Sequence, residues 1–261
     1  MPFPLRPAAA LFCLVFLAAA CRSTDSGVVT EDIVSQVPFP EEAESATYEL
    51  TDDDGDPEGS GTLSATRSGT GFLLVQDFGD EDGNSDCWEV EVDEQLKPLE
   101  VFRVIVQVDD GEEDSVELSA TYSEDTVSNV FAADGESRED EADLPRNHYD
   151  SLTEVFLLRT LDFVENEEYA FNSVFTARPD GRDIADDATI FEIEGQETIE
   201  VPAGEYDTWR IGIRGGFGAD RTAWINVDEP HELVRFDFGF LVYALTDYSA
   251  EVQDGPSTCT G

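Results

Sequence analysis

Basic residues are scarce in this chain of 261 residues, in which 14 lysines and arginines stand against 60 aspartates and glutamates. The formal net charge is −46, and Lys97 is the single lysine. Nucleic-acid binding requires positive side chains that neutralise phosphates, so this composition excludes that class of function. It also opposes electrostatic binding to anionic lipid headgroups. Because the acidic residues are spread along the whole chain, they favour an adaptation to saline surroundings, where salt screens self-repulsion, over a surface for one basic partner.

Catalytic and metal-binding motifs are also missing. His148 and His231 are the two histidines, and both adjoin predicted loops. The sequence has no Gly-x-Ser-x-Gly elbow, no phosphate-binding loop and no histidine or cysteine spacing suited to zinc. Carboxylates are so numerous that no pair of the kind glycosidases use can be selected. The sequence therefore predicts a non-enzymatic protein without a cofactor, with calcium left open.

Long hydrophobic runs are absent apart from the stretch between Ala8 and Ala20, which follows a single charge at Arg6. This stretch is too short for a transmembrane helix, which takes about 20 residues, but it has the length of a secretory signal. The sequence Leu17-Ala-Ala-Ala-Cys21 resembles the bacterial lipobox, in which the peptide is cut before the cysteine and the cysteine is acylated.

That resemblance implies a signal peptide at residues 1–20 and a lipidated Cys21. The following stretch is polar and acidic and is interrupted by Pro38 and Pro40, so it predicts a flexible tether that ends near residue 45. The location it implies is the cell envelope, with the protein anchored by acyl chains on the extracytoplasmic side of a bacterial membrane. A plain secreted protein and a retained N-terminal anchor are the alternatives.

Cysteines beyond Cys21 are few. Cys13 lies in the predicted signal, which leaves Cys87 and Cys259. An oxidising compartment would permit a disulfide between them, which would pin a C-terminal tail at residues 249–261 to the body. Two unpaired thiols are the alternative, because spacing in the sequence cannot show that the two Cα atoms lie close enough.

The remaining chain has the pattern of β-structure, with short runs rich in Val, Ile, Phe, Tyr and Thr between acidic turns that contain glycine. The predicted strands cover residues 46–51, 60–67, 70–78, 87–94, 98–108, 115–122, 126–132, 168–177, 188–194, 196–201, 205–214, 220–227, 232–238 and 240–248. Ser151-x-x-Glu154 is a capping-box signature and predicts a helix over residues 150–161. We expect one β-rich domain over residues 46–248, although a division near residue 145 is an alternative.

The acidic turns offer a possible calcium site, since calcium prefers several oxygen ligands. The candidate ligands are Asp52, Asp54, Asp56, Asp80 and Asp82. The second turn does not fit an EF-hand loop, because a phenylalanine would occupy its first position. Solvated hairpin tips are the alternative interpretation.

The C-terminal half resembles a known family. The residues that carry the resemblance are the Val201-Pro202-Ala203-Gly204 turn within residues 195–211, the tryptophan-containing strand at 222–228, Leu233-Val-Arg-Phe236 and the segment from Ser151 to Arg159. They resemble an uncharacterised family of bacterial exported proteins, catalogued as domain of unknown function 3108, over residues 145–248. The resemblance implies an exported β-rich fold similar in outline to the open barrels of lipoprotein carriers, and it implies no activity.

The fold class predicted is mainly β: a large curved antiparallel sheet, open or half-barrel in form, with one short helix packed across it. The function predicted is non-enzymatic binding of an apolar ligand, such as a lipid or an acyl chain, in the concave face. The expected lining residues are Phe72, Leu74, Val104, Val106, Phe156, Trp209 and Trp224. Arg159 and Arg235 are expected in structural ion pairs. A structural or assembly lipoprotein with a packed core, which meets its partner at an edge strand or the acidic turns, and a calcium-stabilised surface domain are the alternatives.

Overall fold

The fold is seen in a computed structural model that describes residues 33–40, 42–109, 111–133, 135–178, 181, 183–216, 218, 220–250 and 259. The strands are β1 (Ala43–Asp52), β2 (Pro57–Ser68), β3 (Gly71–Gly79), β4 (Ser85–Val92), β5 (Pro98–Asp109), β6 (Glu112–Tyr122), β7 (Thr126–Ala133), β8 (Glu136–Asp143), β9 (His148–Asp150), β10 (Glu168–Phe175), β11 (Ala185–Val201), β12 (Gly204–Gly215), β13 (Arg221–Asn226), β14 (Leu233–Asp237) and β15 (Leu241–Ser249).

All these strands belong to one open, curved sheet that runs mostly in chain order. Its order is β8-β7-β6-β5-β4-β3-β2-β1-β15-β14-β13-β12-β11-β10-β9, so the first and last strands are neighbours at the centre. Neighbouring strands are antiparallel, except that β9 runs parallel to β10. Short acidic turns connect most neighbours, as a meander requires. The prediction of a mainly β fold with one large curved antiparallel sheet is confirmed.

Two strands are missing from the sequence-based prediction. The β8 sequence, Glu136–Asp143, is almost entirely charged and has no apolar alternation, so it forms through its ladder with β7 rather than through burial. The three-residue β9 is too short to leave a pattern. The structure also joins the predicted strands 188–194 and 196–201 into β11, because a bulge at Gly195, with φ of +139°, carries the strand through.

One face of the sheet, here called the inner face, carries the core. Along β4, Trp88, Val90 and Val92 are buried there, while the residues between them point outward. On the neighbouring β5, Val101 and Ile105 are buried on the same face. The alternation has the period of two that a strand with one buried face produces.

A helical segment at residues 151–160 crosses the inner face. It consists of a short α-helix, Glu154–Leu157, between two 3₁₀ turns, Ser151–Thr153 and Leu158–Thr160. The predicted continuous helix over 150–161 is therefore wrong in detail. Asp150 caps the segment by accepting a hydrogen bond from the Leu152 amide, so Ser151 is not the cap. Tertiary packing determines the geometry of so short a helix.

The flexible tether predicted for residues 21–45 is wrong over its described part. Ile33 and Phe39 are buried in the core, the Ser35 amide donates to the Thr160 carbonyl over 2.9 Å, and β1 already begins at Ala43. Burial of these two apolar side chains places the otherwise acidic stretch against the concave side of the sheet. Residues 1–32, which include the predicted signal and Cys21, lie outside the described residues.

The loop after β10 contacts strands in the first half of the sheet. The Arg103 guanidinium donates to the Ala177 carbonyl over 2.8 Å, and the Asn129 amide donates to the Thr176 carbonyl over 2.7 Å. Side-chain hydrogen bonds of this kind connect the two halves of the sheet on the inner side, where the backbone ladder does not. No helix in the described residues is both long and apolar enough to cross a membrane.

We expect the free energy of unfolding to rise strongly with salt, because the chain carries a net charge of −46. Raising NaCl from 0.1 M to 1 M shortens the screening length from about 10 Å to about 3 Å. The acidic turns are crowded: burial, followed by the charges of Asp52, Asp80 and Asp56, raises the pKa of Glu58. Thermal unfolding followed by circular dichroism measures the effect. Sucrose at matched osmolality, which does not screen charge, is the control, and a melting temperature unchanged by NaCl would contradict the expectation.

Candidate functional site

The seven residues predicted to line a ligand site do not come together. Phe72 and Leu74 face inward, opposite Val92 and Val90 of β4, and the other inward-facing members are Phe156 and Trp209. The remaining three lie on the outer face, and they are Val104, Val106 and Trp224. The prediction placed Val104 and Val106 on the wrong face because both faces of β5 carry apolar residues, so a sequence pattern alone cannot assign them.

Aromatic side chains fill the inner face at the predicted ligand position. The Phe39 ring makes edge-to-face contacts with Phe72 and Phe156, with centroid separations of 5.2 and 5.8 Å. Trp88 contacts Phe156 from the sheet at 6.1 Å. Leu74, Leu157 and Phe156 are at most 2% exposed. The protein's own rings therefore occupy the space in which an apolar ligand was expected.

A buried ion pair joins the end of the helical segment to the centre of the sheet. The Arg159 guanidinium donates to both carboxylate oxygens of Glu44 on β1, and the two side chains are 6% and 3% exposed. Burial alone would lower the pKa of Arg159, but the Glu44 carboxylate outweighs it and raises the pKa. Tyr248 of β15 donates a third hydrogen bond to Glu44 over 2.8 Å. The expected structural role of Arg159 in an ion pair agrees with this geometry.

Two more ion pairs lie on the inner side. Glu154, at the start of the short helix, accepts from Arg221 of β13 over 2.6 Å. Arg103 makes a bidentate contact with Asp86, with distances of 2.8 and 2.6 Å. Arg235 is different: its guanidinium lies 5.1 Å from the centre of the Trp224 ring on the outer face, and the same-strand Asp237 is 3.7 Å away.

Asp150 is a fully buried carboxylate, and burial raises its pKa against the opposing effect of its hydrogen bonds. A buried acid of this kind is a candidate for general acid–base chemistry. Here, however, its oxygens accept from the Leu152 amide, the Tyr122 hydroxyl and the Thr176 hydroxyl, over 2.9, 2.7 and 2.7 Å. These partners come from three separate parts of the chain, so the carboxylate connects them and its role is structural.

The aspartate at the start of each of these acidic turns accepts hydrogen bonds from backbone amides of the same turn. Asp52 accepts from the amides of Asp54 and Asp56 over 3.0 and 2.8 Å. Asp80 accepts in the same way from Asp82 and Asn84, both over 2.9 Å. This pattern accounts for an aspartate at the start of each turn. The carboxylate oxygens of Asp52, Asp53 and Asp54 come within 4.8 Å of one another, but such crowding is common in exposed acidic turns, so calcium binding stays a prediction.

Cys87 and Cys259 form a disulfide in the structure. Cys87 pairs with Val104 across β4 and β5, so the bond lies on the outer face of the sheet. The Cys259 amide also donates to Glu89. The prediction of a flexible tail over 249–261 is therefore wrong at Cys259, which is covalently attached to β4, and at Ser249, which ends β15. Residues 251–258 lie outside the described residues.

An open groove of about 320 Å³, which the sequence analysis missed, lies where the helical segment ends. We call it the aromatic groove, and its lining residues are Ser35, Gln36, Pro38, Arg159, Leu161, Asp162, Phe163, Trp209 and His231. Phe163 and His231 lie in loops that have no hydrophobic periodicity. Four separate stretches of the chain line the groove, so its position could not be derived without the fold.

Comparison with known proteins identifies the family. The family model described as "Protein of unknown function (DUF3108)" matches residues 40–245. The chain therefore belongs to this family, and the match extends the resemblance seen in the sequence to nearly the whole sheet. No curated protein matches the sequence.

One solved structure that is similar comes from Bacteroides fragilis and has a YmcC-like fold. Its sequence identity with this chain is 12%, the alignment covers 81% of this chain and 98% of that chain, and the TM-score is 0.31. The two structures are therefore only remotely alike.

Breaking the Glu44–Arg159 pair should destabilise the fold strongly, because each single substitution leaves one buried group uncompensated. Glu44→Gln and Arg159→Met are each expected to cost about 3–5 kcal/mol, and the double variant far less than their sum. Urea unfolding at constant high salt measures these values. Arg214→Met is the control: its partner Glu168 and Arg214 itself are 55% and 48% exposed, so we expect a cost below about 1 kcal/mol. Additive losses in the double variant would contradict this account.

Proposed function

We propose that this protein is a lipid-anchored, non-enzymatic protein of the bacterial cell envelope whose sheet is a rigid scaffold filled by its own side chains. The observation that carries the proposal is the packing of the inner face, where the Phe39 ring contacts both Phe72 and Phe156. In a carrier for lipids, the corresponding volume would have to be open to a ligand. The packed interior thus favours a structural or assembly role.

Export and anchoring are supported by the N-terminal sequence. The run from Ala8 to Ala20 and the following Cys21 have the pattern of a lipoprotein signal. The Cys87–Cys259 disulfide suits the oxidising compartment to which such a signal leads. A tail closed by a disulfide would serve little purpose where thiols are kept reduced. The body would then stand outside the cytoplasm, held by acyl chains at its N-terminus.

The absence of an enzymatic role is supported by how the buried ionisable groups are used. Asp150, Glu44 and Glu154 all accept hydrogen bonds from the protein itself. Their positions tie the helical segment to the sheet, and none of the three carboxylates lines the aromatic groove. A protein partner would meet the exposed outer edge of β8 or the acidic turns.

Binding of an apolar ligand in the inner face is the alternative proposal. Such a ligand would have to displace Phe39 or Phe156, and with them part of the helical segment. The Glu44–Arg159 and Glu154–Arg221 pairs oppose that movement, because it would separate buried charges.

Mass spectrometry tests the proposal directly. Residues 22–261, expressed without the signal and held in high salt, are expected to show the mass of the protein alone under native conditions and to yield no lipid on solvent extraction. A co-purifying lipid, or saturable uptake of an apolar fluorescent probe, would contradict the packed scaffold and favour the carrier. The same chain expressed from Met1 in a bacterial host is expected to lose residues 1–20 and gain acyl mass at Cys21. Cys21→Ser is the control that should remain unacylated, and an unacylated Cys21 would contradict the anchoring.

A further inference from the structure

The aromatic groove combines a flat ring surface with uncommitted polar groups. The Phe163 and Trp209 rings are nearly parallel, with an interplanar angle of 10° and centroids 5.8 Å apart. At this separation parallel rings are offset-stacked, so each covers part of the other and the pair leaves aromatic surface open on its outer side. His231 stands beside them, with its ring 5.0 Å from Phe163 and tilted by 59°. All three are half-buried and line the groove.

The two half-buried tryptophans differ in how their indole nitrogens are used. The Trp224 N–H on the outer face donates to Glu197 over 2.6 Å. The Trp209 N–H has no acceptor among the described residues. A buried tryptophan N–H usually has a protein partner, whereas a half-buried one can donate to solvent or to a ligand. The Trp209 indole is therefore available as a donor at the edge of the ring surface.

Acceptors for a ligand lie on the same rim. The His231 Nδ1 lies 3.0 Å from the Asn226 carbonyl, and because a carbonyl only accepts, Nδ1 carries the hydrogen. In the neutral imidazole, Nε2 is then an acceptor. The exposed Asp162 carboxylate has no ion-pair partner in the described part of the chain. The groove thus offers one donor and two acceptors around an apolar surface.

The backbone at His231 is held in a costly conformation. Its φ is +58°, and a non-glycine residue in this region costs of the order of 1 kcal/mol. The His231 amide donates to Asp228 over 2.9 Å, and the Arg159 guanidinium donates to the His231 carbonyl over 2.9 Å. These contacts fix the imidazole at the groove wall. Backbone strain that the surroundings maintain is concentrated at functional sites in proteins.

The charges of the protein restrict the class of ligand that the groove can bind. Arg159 lines the groove, but the Glu44 carboxylate neutralises it, and its Nε and Nη2 also donate to the carbonyls of His231 and Pro230. Its charge is therefore already compensated within the protein. The net charge of −46 repels anions as well. A lipid chain would leave the polar rim unpaired. A ligand that suits the groove is neutral, has a flat apolar face and carries hydroxyl groups that both donate and accept.

We propose that the aromatic groove binds a neutral sugar ring, which packs its C–H face against the open side of the Phe163–Trp209 stack and hydrogen-bonds to the Trp209 N–H, the His231 Nε2 and the Asp162 carboxylate. Pyranose rings have the required flat apolar faces and a periphery of hydroxyls. The volume of the groove, about 320 Å³, suits a short segment of a glycan. The proposal does not depend on lipid anchoring.

The test uses residues 22–261, which contain every described residue, in high salt. The probes are the N-acetylglucosamine tetramer and maltotetraose, with a tetramer of galacturonic acid as the anionic comparison. Saturation-transfer NMR is expected to show transfer from the protein to the ring C–H protons of at least one neutral probe and weaker transfer to the anionic one. Calorimetric titration then gives the affinity.

Variants locate the site. Trp209→Ala should weaken binding about tenfold, the size expected from one lost ring contact. Trp209→Phe keeps a ring and loses only the N–H, so its effect should be smaller, and it protects the test against a misfolded alanine variant. Trp224→Ala, a matched change on the outer face, should leave binding unchanged. The proposal is overturned if neither neutral probe binds the folded protein, or if Trp224→Ala removes binding while Trp209→Ala and Trp209→Phe retain it.

Discussion

The concave side of a wide curved sheet must be covered by apolar side chains, and in this protein very little chain is available to cover it. A helical segment of ten residues, 151–160, lies there together with the stretch from Ile33 to Phe39. Each of the four consecutive residues Val155–Leu158 is buried. Full burial of a side chain of this size contributes about 1.5–3 kcal/mol. The fold therefore depends on keeping this short cover in one position.

Buried ion pairs hold the helical segment in that position. Glu154 at one end of the helical segment contacts Arg221, and Arg159 at the other end contacts Glu44. Burying charges is costly, and an apolar replacement can be as stable, so the pairs are poor evidence for stability itself. Their geometry nevertheless admits one placement of the segment, since any shift separates a guanidinium from its carboxylate. On the outer surface, by contrast, the dominant effect is repulsion among the acidic turns, and salt in the surroundings is enough to screen it.

Much of the sheet could be predicted from the sequence, because alternating apolar residues and Asp-Gly turns mark most strands. The features that the sequence did not predict were missed for physical reasons. The charged β8 has no apolar face, and Ile33 and Phe39 were hidden in an acidic stretch. Trp224 faces outward because its neighbours Ala223 and Ile225 face inward, which is a property of the register. The aromatic groove and the partner of Arg159, which lies 115 residues away, depend on tertiary structure that no local pattern contains.

The claim that the protein fills its own concave face is tested most directly by removing one of the filling rings. Phe156 is 2% exposed at the centre of this packing, whereas Phe240 is 46% exposed. Phe156→Ala should lower the free energy of unfolding by about 3–5 kcal/mol, as truncation of a packed ring does, and Phe240→Ala by much less. Urea unfolding of the two variants in high salt measures the difference. Equal, small losses would mean that Phe156 borders open space, and would contradict a scaffold with a filled interior.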